Sequence, residues 1–483
     1  MEQLIQTISG YVWSPALVAI CLLAGLYFSI GTRFVQVRRL REMARLLFST
    51  DRSQKTGITS FQAFSMALSG RVGTGNIVGV ATAIGYGGPG AIVWMWIIAF
   101  LGAGSAFSEA TLAQIYKEEH KGQFRGGPAY YIEKGLHSKW LAVAFAIIAV
   151  LACGLCLPPV QSNSIATSFS NTFHISSAWA GGIVALLIGL VVVGGVKRIA
   201  NVAQVVAPFM AILYVLLSIV VLAFHIREVP NAFVDMLQSA FGMKEALGGI
   251  LGSTIAWGVK RGIYSNEAGQ GTGAIVAGAA KVSHPVKQGL VQAFSVYIDT
   301  LLVCTATAVM ILACKTYNVF DASGNILIAA EGVELGAPDV SYTSAALGTF
   351  LGGNWGGIIV SFALFFFAFT TIMAYYYYAE TNLVYLFGKG KIEHILIWVL
   401  RVGVVAMVFV GSLYEARTMW DLGDIGVGTM AWVNIIAILL LSPKAFKALK
   451  SYERQKKEGK EPVFDPKEIG AEGAEFWEAR HAE

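Results

Sequence analysis

Long apolar runs alternate with short polar stretches along most of the chain. Eleven runs, at residues 13–30, 60–86, 91–116, 141–169, 179–196, 202–224, 246–263, 290–314, 356–387, 395–411 and 425–441, are candidate membrane-spanning helices. About 20 apolar residues in helical form cross the hydrocarbon core of a bilayer. The second run is interrupted: residues 69–76, Ser-Gly-Arg-Val-Gly-Thr-Gly-Asn, set three glycines, an arginine, a threonine and an asparagine in apolar surroundings. Lipid offers no hydrogen bonds, so broken backbone at membrane depth persists only where it is buried in protein or lines a cavity. Secondary transporters use such breaks to hold substrate and ions. Pro158-Pro159 kinks the fourth run, and the seventh is rich in glycine and ends at Lys260-Arg261.

The interrupted second and seventh runs stand five apart. With the first run set aside, they begin two five-helix halves of opposite direction, the arrangement of inverted-repeat transporters. The pattern predicts an all-α membrane protein with 11 transmembrane helices in three parts. An extra N-terminal helix and basic loop occupy residues 1–56. A transporter core follows over 57–442, in halves 57–225 and 246–442, and a charged tail covers 443–483. From Ser451 onward the tail is expected to be partly disordered beyond its first helical turns.

Composition agrees with membrane residence. Hydrophobic residues make up 55% and charged residues 13%, against about 25% charged in soluble domains, and the mean hydropathy is +0.62. The net charge of +5 comes from basic residues gathered between runs, including Arg33, Arg38, Arg39, Arg41, Arg45, Arg52 and Lys55, then Lys117 to Lys139, and Lys444 to Lys457. Orientation explains this excess better than nucleic acid does. The segment 317–343 instead carries Asp321, Glu331, Glu334 and Asp339 without Lys or Arg. The positive-inside rule then puts the N-terminus outside and the C-terminus in the cytoplasm, as a multi-pass protein of the inner (plasma) membrane. The first run lacks a basic leader and a cleavage site, so it reads as a retained helix.

Several separate motifs match one family in order. Gly-Arg-Val-Gly-Thr-Gly-Asn-Ile-Val-Gly-Val-Ala-Thr-Ala-Ile (70–84), followed by Gly-Gly-Pro-Gly-Ala (87–91), resembles the signature of the alanine or glycine:cation symporter family. Arg-Gly-Gly-Pro-Ala-Tyr-Tyr-Ile (125–132), Arg-Gly-Ile-Tyr-Ser-Asn-Glu-Ala-Gly (261–269) and Tyr-Ile-Asp-Thr (297–300) are similar to its further motifs. The resemblance covers roughly residues 57–440. It implies a leucine-transporter-type fold and sodium-coupled uptake of a small neutral amino acid, alanine or glycine first.

An amino-acid zwitterion needs donors for its carboxylate and acceptors for its ammonium, and an unwound helix supplies both from backbone. Gly73, Thr74 and Gly75 let that backbone come close, and they are assigned to substrate contact. Asn76 is counted with the substrate-binding residues and is placed as a brace of the break or an ion ligand. Gln161 follows the proline kink, and the family places a substrate-contacting glutamine there. Sodium, a hard cation, prefers oxygen ligands. Carried over from the family, Thr370 and Thr371 supply hydroxyls and Ser69, Val72 and Phe367 supply carbonyls; Thr371 also faces the substrate. Tyr375 lies one helical turn from Thr371. Relatives usually read Gly-Trp-Tyr-Tyr-Tyr-Gly-Glu where this chain reads Ala-Tyr-Tyr-Tyr-Tyr-Ala-Glu (374–380). Tyr375 thus replaces the tryptophan that walls the substrate side chain, and Ala374 replaces a glycine.

Other charges inside the runs are functional candidates by default. Arg71 is placed beside the break to pair with a carboxylate or close a gate. Glu109 and Asp299 sit within apolar runs. Glu267, Lys260 and Arg261 are expected to form an ion-pair network at the cytoplasmic end of the seventh run. Cys153 and Cys156 form a C-x-x-C, but on a helix within lipid, where they read as small packing residues. The seven histidines fall mostly in loops without metal-ligand spacing, and no nucleophile–base pattern appears, so an enzyme is not expected. A channel would show rings of like residues. The runner-up is a proton-coupled, or a glutamine- or serine-preferring, permease of the same fold. The expected partners are substrate, sodium and the bilayer, with no nucleic acid and no obligatory protein partner.

Overall fold

The structure is a computed structural model that describes residues 2–49, 56–243, 250–388 and 390–482. Arg52, Lys55 and the expected start of the seventh run at Ala246 lie outside the described residues. Among the described residues the chain is mainly helical, with two small antiparallel hairpins in loops, Glu118–His120 with Gln123–Arg125 and Val319–Phe320 with Ile326–Ile328. Among the described residues, 8 helical stretches are long and apolar enough to cross a membrane: Glu2–Gly31, Ala91–Ile115, Lys139–Phe173, Gly195–Phe224, Pro285–Ala313, Trp355–Phe387, Glu393–Gly411 and Ala416–Lys457. Ser177–Val192 is apolar but shorter. Two further runs are each split into half-helices.

The first split is where the sequence puts it. Ser60–Arg71 begins at a capping box, in which Thr59 Oγ1 accepts from the Gln62 amide and Gln62 returns the bond to Thr59. The helix stops at Val72, a single turn of 3₁₀ helix spans Thr74–Asn76, and Val78–Gly87 resumes. The second split lies further along than the sequence suggests. Leu251–Asn266 continues past Lys260-Arg261, then breaks where Glu267, Gly269 and Gly271 all take left-handed backbone (φ 56°, 89° and 87°), and resumes as Thr272–Ala279. Lys260 and Arg261 read as the end of a run because charge normally marks the membrane boundary. Here their charge is answered inside the bundle by Asp424, with nitrogen–oxygen distances of 2.6 Å for each. The two splits touch: Arg71 Nε–H donates to the Asn266 carbonyl at 2.6 Å.

The irregularity of the fourth run precedes its prolines. Pro158 and Pro159 lack the N–H groups that would bond back to residues 154 and 155, and the chain widens to π-helix over Ala152–Cys156 before Leu157–Phe173 continues. At one end of the bundle, Arg39 pairs with Glu453, Lys134 with Glu475, and Lys287 with Glu461; we call this the tail face. At the other end Trp13 Nε1–H donates to Asp424 O (2.8 Å), and Tyr86 packs on Trp257 and Phe320.

The tail differs from its expected disorder. The last long helix runs unbroken through Ala416–Lys457, and the chain beyond it folds back with Phe464 and Trp477 fully buried. Charged residues are frequent in this segment, yet it buries those two aromatic side chains against the bundle.

Candidate functional site

The first split closes on itself through one side chain. Asn76 Oδ1 accepts the Gly73 amide at 2.8 Å, while its Nδ2–H donates to Asp299 Oδ1 at 2.7 Å. Asn76 therefore braces the break. Because the Gly73 amide is turned to Asn76, the Ser69 carbonyl loses the partner that a continuous helix would give it.

That carbonyl faces Thr371 instead. Thr371 Oγ1 lies 2.7 Å from Ser69 O, 2.9 Å from Phe367 O and 3.3 Å from Val72 O. A hydroxyl has one hydrogen to donate, so three carbonyl oxygens around it form a surplus of acceptors. This oxygen-only donor set fits a hard monovalent cation. Thr370 joins less directly: its hydroxyl sits 3.0 Å from Phe366 O and 3.0 Å from Phe367 O of its own helix. Four of the five predicted sodium ligands thus come together, and Thr370 borders them through Phe367.

Gly73 lies between this oxygen cluster and Gln161. A Cβ at Gly73 would stand 2.5 Å from Thr371 Oγ1 and 2.9 Å from Gln161 Oε1, so only glycine fits. Gln161 Oε1 accepts the Thr74 amide at 3.1 Å. The predicted substrate residues Gly73, Thr74, Gly75, Gln161 and Thr371 are therefore neighbours. Tyr375 is buried on the same helix as Thr371, with its ring 6.0 Å from that of Tyr378.

Tyr264 belongs to the site and was missed in the sequence. It is buried four residues into the Arg-Gly-Ile-Tyr motif, its ring borders Gly75, and its hydroxyl lies beside Gln161 and Thr74. Neither the Tyr264 hydroxyl nor that of Thr74 makes a hydrogen bond of good geometry with protein. Buried polar atoms left without partners are rare, and two of them stand beside the Gln161 amide here. Only the position of Tyr264, just ahead of the second split, could have pointed to it.

On the side away from the tail face, rings and charges stack beyond Tyr264. Tyr264 packs on Trp420 (4.9 Å between ring centroids), and the Arg261 guanidinium sits 4.6 Å from the Trp420 ring centroid while pairing with Asp424. Lys260 shares Asp424 and lies over Trp257 at 5.2 Å. Lys260 and Arg261 thus belong to the end of the bundle that holds Trp13, not to a network with Glu267 at the tail face. Glu267 instead accepts from Tyr378 Oη–H at 3.3 Å. Among the described residues Arg71 forms no ion pair; it binds the Asn266 and Gln292 carbonyls and the Gln292 and Ser295 side chains. Asp299 accepts from Asn76, Ser265 and Thr300, and Glu109 from Asn434.

The chain is similar over nearly its whole length to several known proteins. The model of the sodium:alanine symporter family matches residues 1–466. The chain is 54% identical over 482 residues to a Bacillus subtilis (strain 168) protein, YrbD, provisionally named a sodium/proton-dependent alanine carrier; the match covers 100% of this chain and 98% of the relative. It is 47% identical to the sodium/proton-dependent alanine carrier protein of Bacillus sp. (strain PS3), over 89% of this chain and 96% of that one. It is 42% identical to GlnT of Bacillus subtilis (strain 168), provisionally named a sodium/glutamine symporter, over 96% of this chain and 94% of the relative.

Proposed function

The chain belongs to the sodium:alanine symporter family, and from that premise we propose that it takes up alanine, a small neutral amino acid, together with sodium by alternating access. One observation carries the reading: three carbonyls converge on Thr371, one Cβ away from the Gly73–Gln161 contact. Sodium held by Ser69, Val72, Phe367 and Thr371, with Thr370 beside it, ties the first broken helix to Trp355–Phe387. That fixes the backbone of Gly73, Thr74 and Gly75 for the substrate carboxylate. The Gln161, Thr74 and Tyr264 side chains complete the polar pocket, and Tyr375 walls the small side chain. Since the ion orders the surface that substrate uses, each raises the affinity of the other.

The finer architecture follows the same reading. The two broken helices and Ser177–Val192, taken with the eight long helices, make eleven crossings. After one extra N-terminal helix they form leucine-transporter-type halves, within 57–225 and 246–442, of opposite sense. Residues 1–56 and 443–483 flank that core. Basic residues on the tail face and the acidic loop 317–343 at the far end support a cytoplasmic C-terminus and an outer N-terminus in the plasma membrane.

Two observations favour a second reading. Two relatives are named as sodium/proton-dependent, and another as a glutamine symporter; Tyr375 is smaller than tryptophan and leaves space for a larger side chain. The test is uptake of radiolabelled alanine into proteoliposomes under an inward sodium gradient, an equal potassium gradient, and a pH gradient alone. Accumulation that needs sodium supports the proposal. Accumulation driven equally by potassium and sodium gradients would sink it. Glutamine accumulating in place of alanine would move the substrate assignment to the second reading.

A further inference from the structure

After Lys457 the chain turns back beneath the tail face. Ser283 Oγ–H donates to Pro462 O at 2.8 Å, and the Phe464 amide donates to Ser283 O at 3.0 Å. Lys287 pairs with Glu461. The short helix Pro466–Ile469 is tied down by Ser451 Oγ–H on Glu468 at 2.7 Å and by Lys444 on the Gly470 carbonyl. Trp477, in the last helix Glu475–Ala482, is fully buried and donates Nε1–H to Gln114 O at 2.8 Å. Lys117 Nζ lies among the Phe124, Phe476 and Trp477 rings at 4.2, 4.6 and 5.1 Å.

Gln114 and Lys117 are themselves ties. Gln114 Nε2–H donates to the carbonyls of Ala277 and Ala280, and Lys117 Nζ–H to Ala280 O at 3.1 Å. Ala277 and Ala280 close the tail-face half of the second broken helix. Ile58, at the entry of the first broken helix, bonds on both sides of the same spot, to Ala279 O and from the Lys281 amide, each at 3.0 Å. The tail-face ends of both broken helices therefore meet in one knot, and the tail roofs it with two aromatic rings. The roof keeps water from a cation and an amide that make three hydrogen bonds to two backbone carbonyls, which strengthens each of those bonds.

For a central site to open on this face, the knot must part. We propose that the C-terminal tail is a latch on the inner gate: docked, it holds the Ile58–Ala280 knot closed, and its release sets how often the central site opens on the tail face. This rests on the alternating-access reading above, and its chemistry is separate from the ion and substrate contacts. The latch joins the end of Ala91–Ile115, the Thr272–Ala279 half-helix and the start of Pro285–Ala313 with the loop before it, so it works by shifting the balance between two arrangements of those parts.

The test uses the full-length chain and two double variants in the same chain. Phe476→Ser with Trp477→Ser removes the roof. Glu461→Lys with Glu475→Lys reverses two largely exposed partners, of Lys287 and Lys134, without touching a packed side chain. Two quantities are read: hydrogen exchange of the backbone amides over residues 272–281, and the turnover of alanine exchange per reconstituted molecule. The latch predicts amide exchange at least about tenfold faster and turnover about threefold higher in the first variant, with smaller changes of the same sign in the second. Unchanged amide exchange and turnover in a folded first variant would overturn the latch. If that variant fails to fold, unchanged values in the second would overturn it equally. Absence of alanine transport by the full-length chain would count against the transport reading alone, because the amide exchange still decides the latch.

Discussion

Thr371 has one hydrogen for three carbonyls, and under the proposed sodium coupling that imbalance makes it the first residue to change. Thr371→Val keeps the shape and removes the oxygen. Its apparent sodium affinity in alanine uptake is expected to fall at least about tenfold, on the scale of one lost charge-assisted contact, while Thr371→Ser stays close to the parent. Thr370→Val should shift it less, since that hydroxyl is turned to its own helix. Tyr264→Phe removes a hydroxyl that has no good protein partner. We expect roughly a tenfold higher KM for alanine with little change in the melting temperature; a large loss of stability with an unchanged KM would show that the hydroxyl serves packing. Gly73→Ala should abolish uptake in a protein that still folds, because its Cβ would enter both the Thr371 and Gln161 contacts. Glycine, threonine and asparagine in an apolar run announced Gly73 to Asn76 from the sequence. Tyr264 carried no such mark, since a buried aromatic on a helix reads as packing until its hydroxyl is seen to face an amide.

At the level of elements, the chain treats its two broken helices differently. The first is broken by residues foreign to a membrane, so its position was legible. The second is broken by left-handed backbone at Glu267, Gly269 and Gly271, and the charges that seemed to end it pair with Asp424 within the bundle. Charge in a membrane protein marks a boundary only where it meets water, and Asp424 and the tryptophan rings remove that condition for Lys260 and Arg261. The loop after the second broken helix makes a pH prediction. His284 is fully buried against the rings of Tyr452 and Phe464, and its Nδ1 accepts the Val286 amide at 3.2 Å. Burial, with the Lys287 charge nearby, pushes its imidazole down to about 3. In the unfolded chain it titrates near pH 6.5. The unfolded state therefore binds the extra proton between these values, so this contribution to stability is complete above about pH 6.5 and declines as the pH falls towards 3. Melting curves of the parent should lose temperature across that window more steeply than those of His284→Phe; parallel curves would show that His284 is not the sensor.

On the scale of the whole molecule, the tail-face assembly of basic loops is the firmest sign of orientation. Arg38 and Arg39 reach Glu453, and His120 and Lys121 reach Glu393. The sequence supplied the basic loops, but not their pairing with Glu453 of Ala416–Lys457 and Glu393 of Glu393–Gly411, because pairing across loops is set by packing. Ser323 lies exposed in the hairpin turn of the acidic loop. A cysteine there, in an otherwise cysteine-free chain, is expected to react with an impermeant thiol reagent added to intact cells; reaction only after the membrane is opened would reverse the orientation. The surplus of carbonyls around Thr371 has a further consequence for the folded state as a whole. An ion that fills the site binds the native chain and not the unfolded one, so it adds about 2.7 kcal/mol when present at a hundred times its dissociation constant. Calorimetry then becomes an ion counter: the rise of denaturation temperature per decade of sodium reports how many ions the resting protein holds, with no vesicle, no gradient and no substrate.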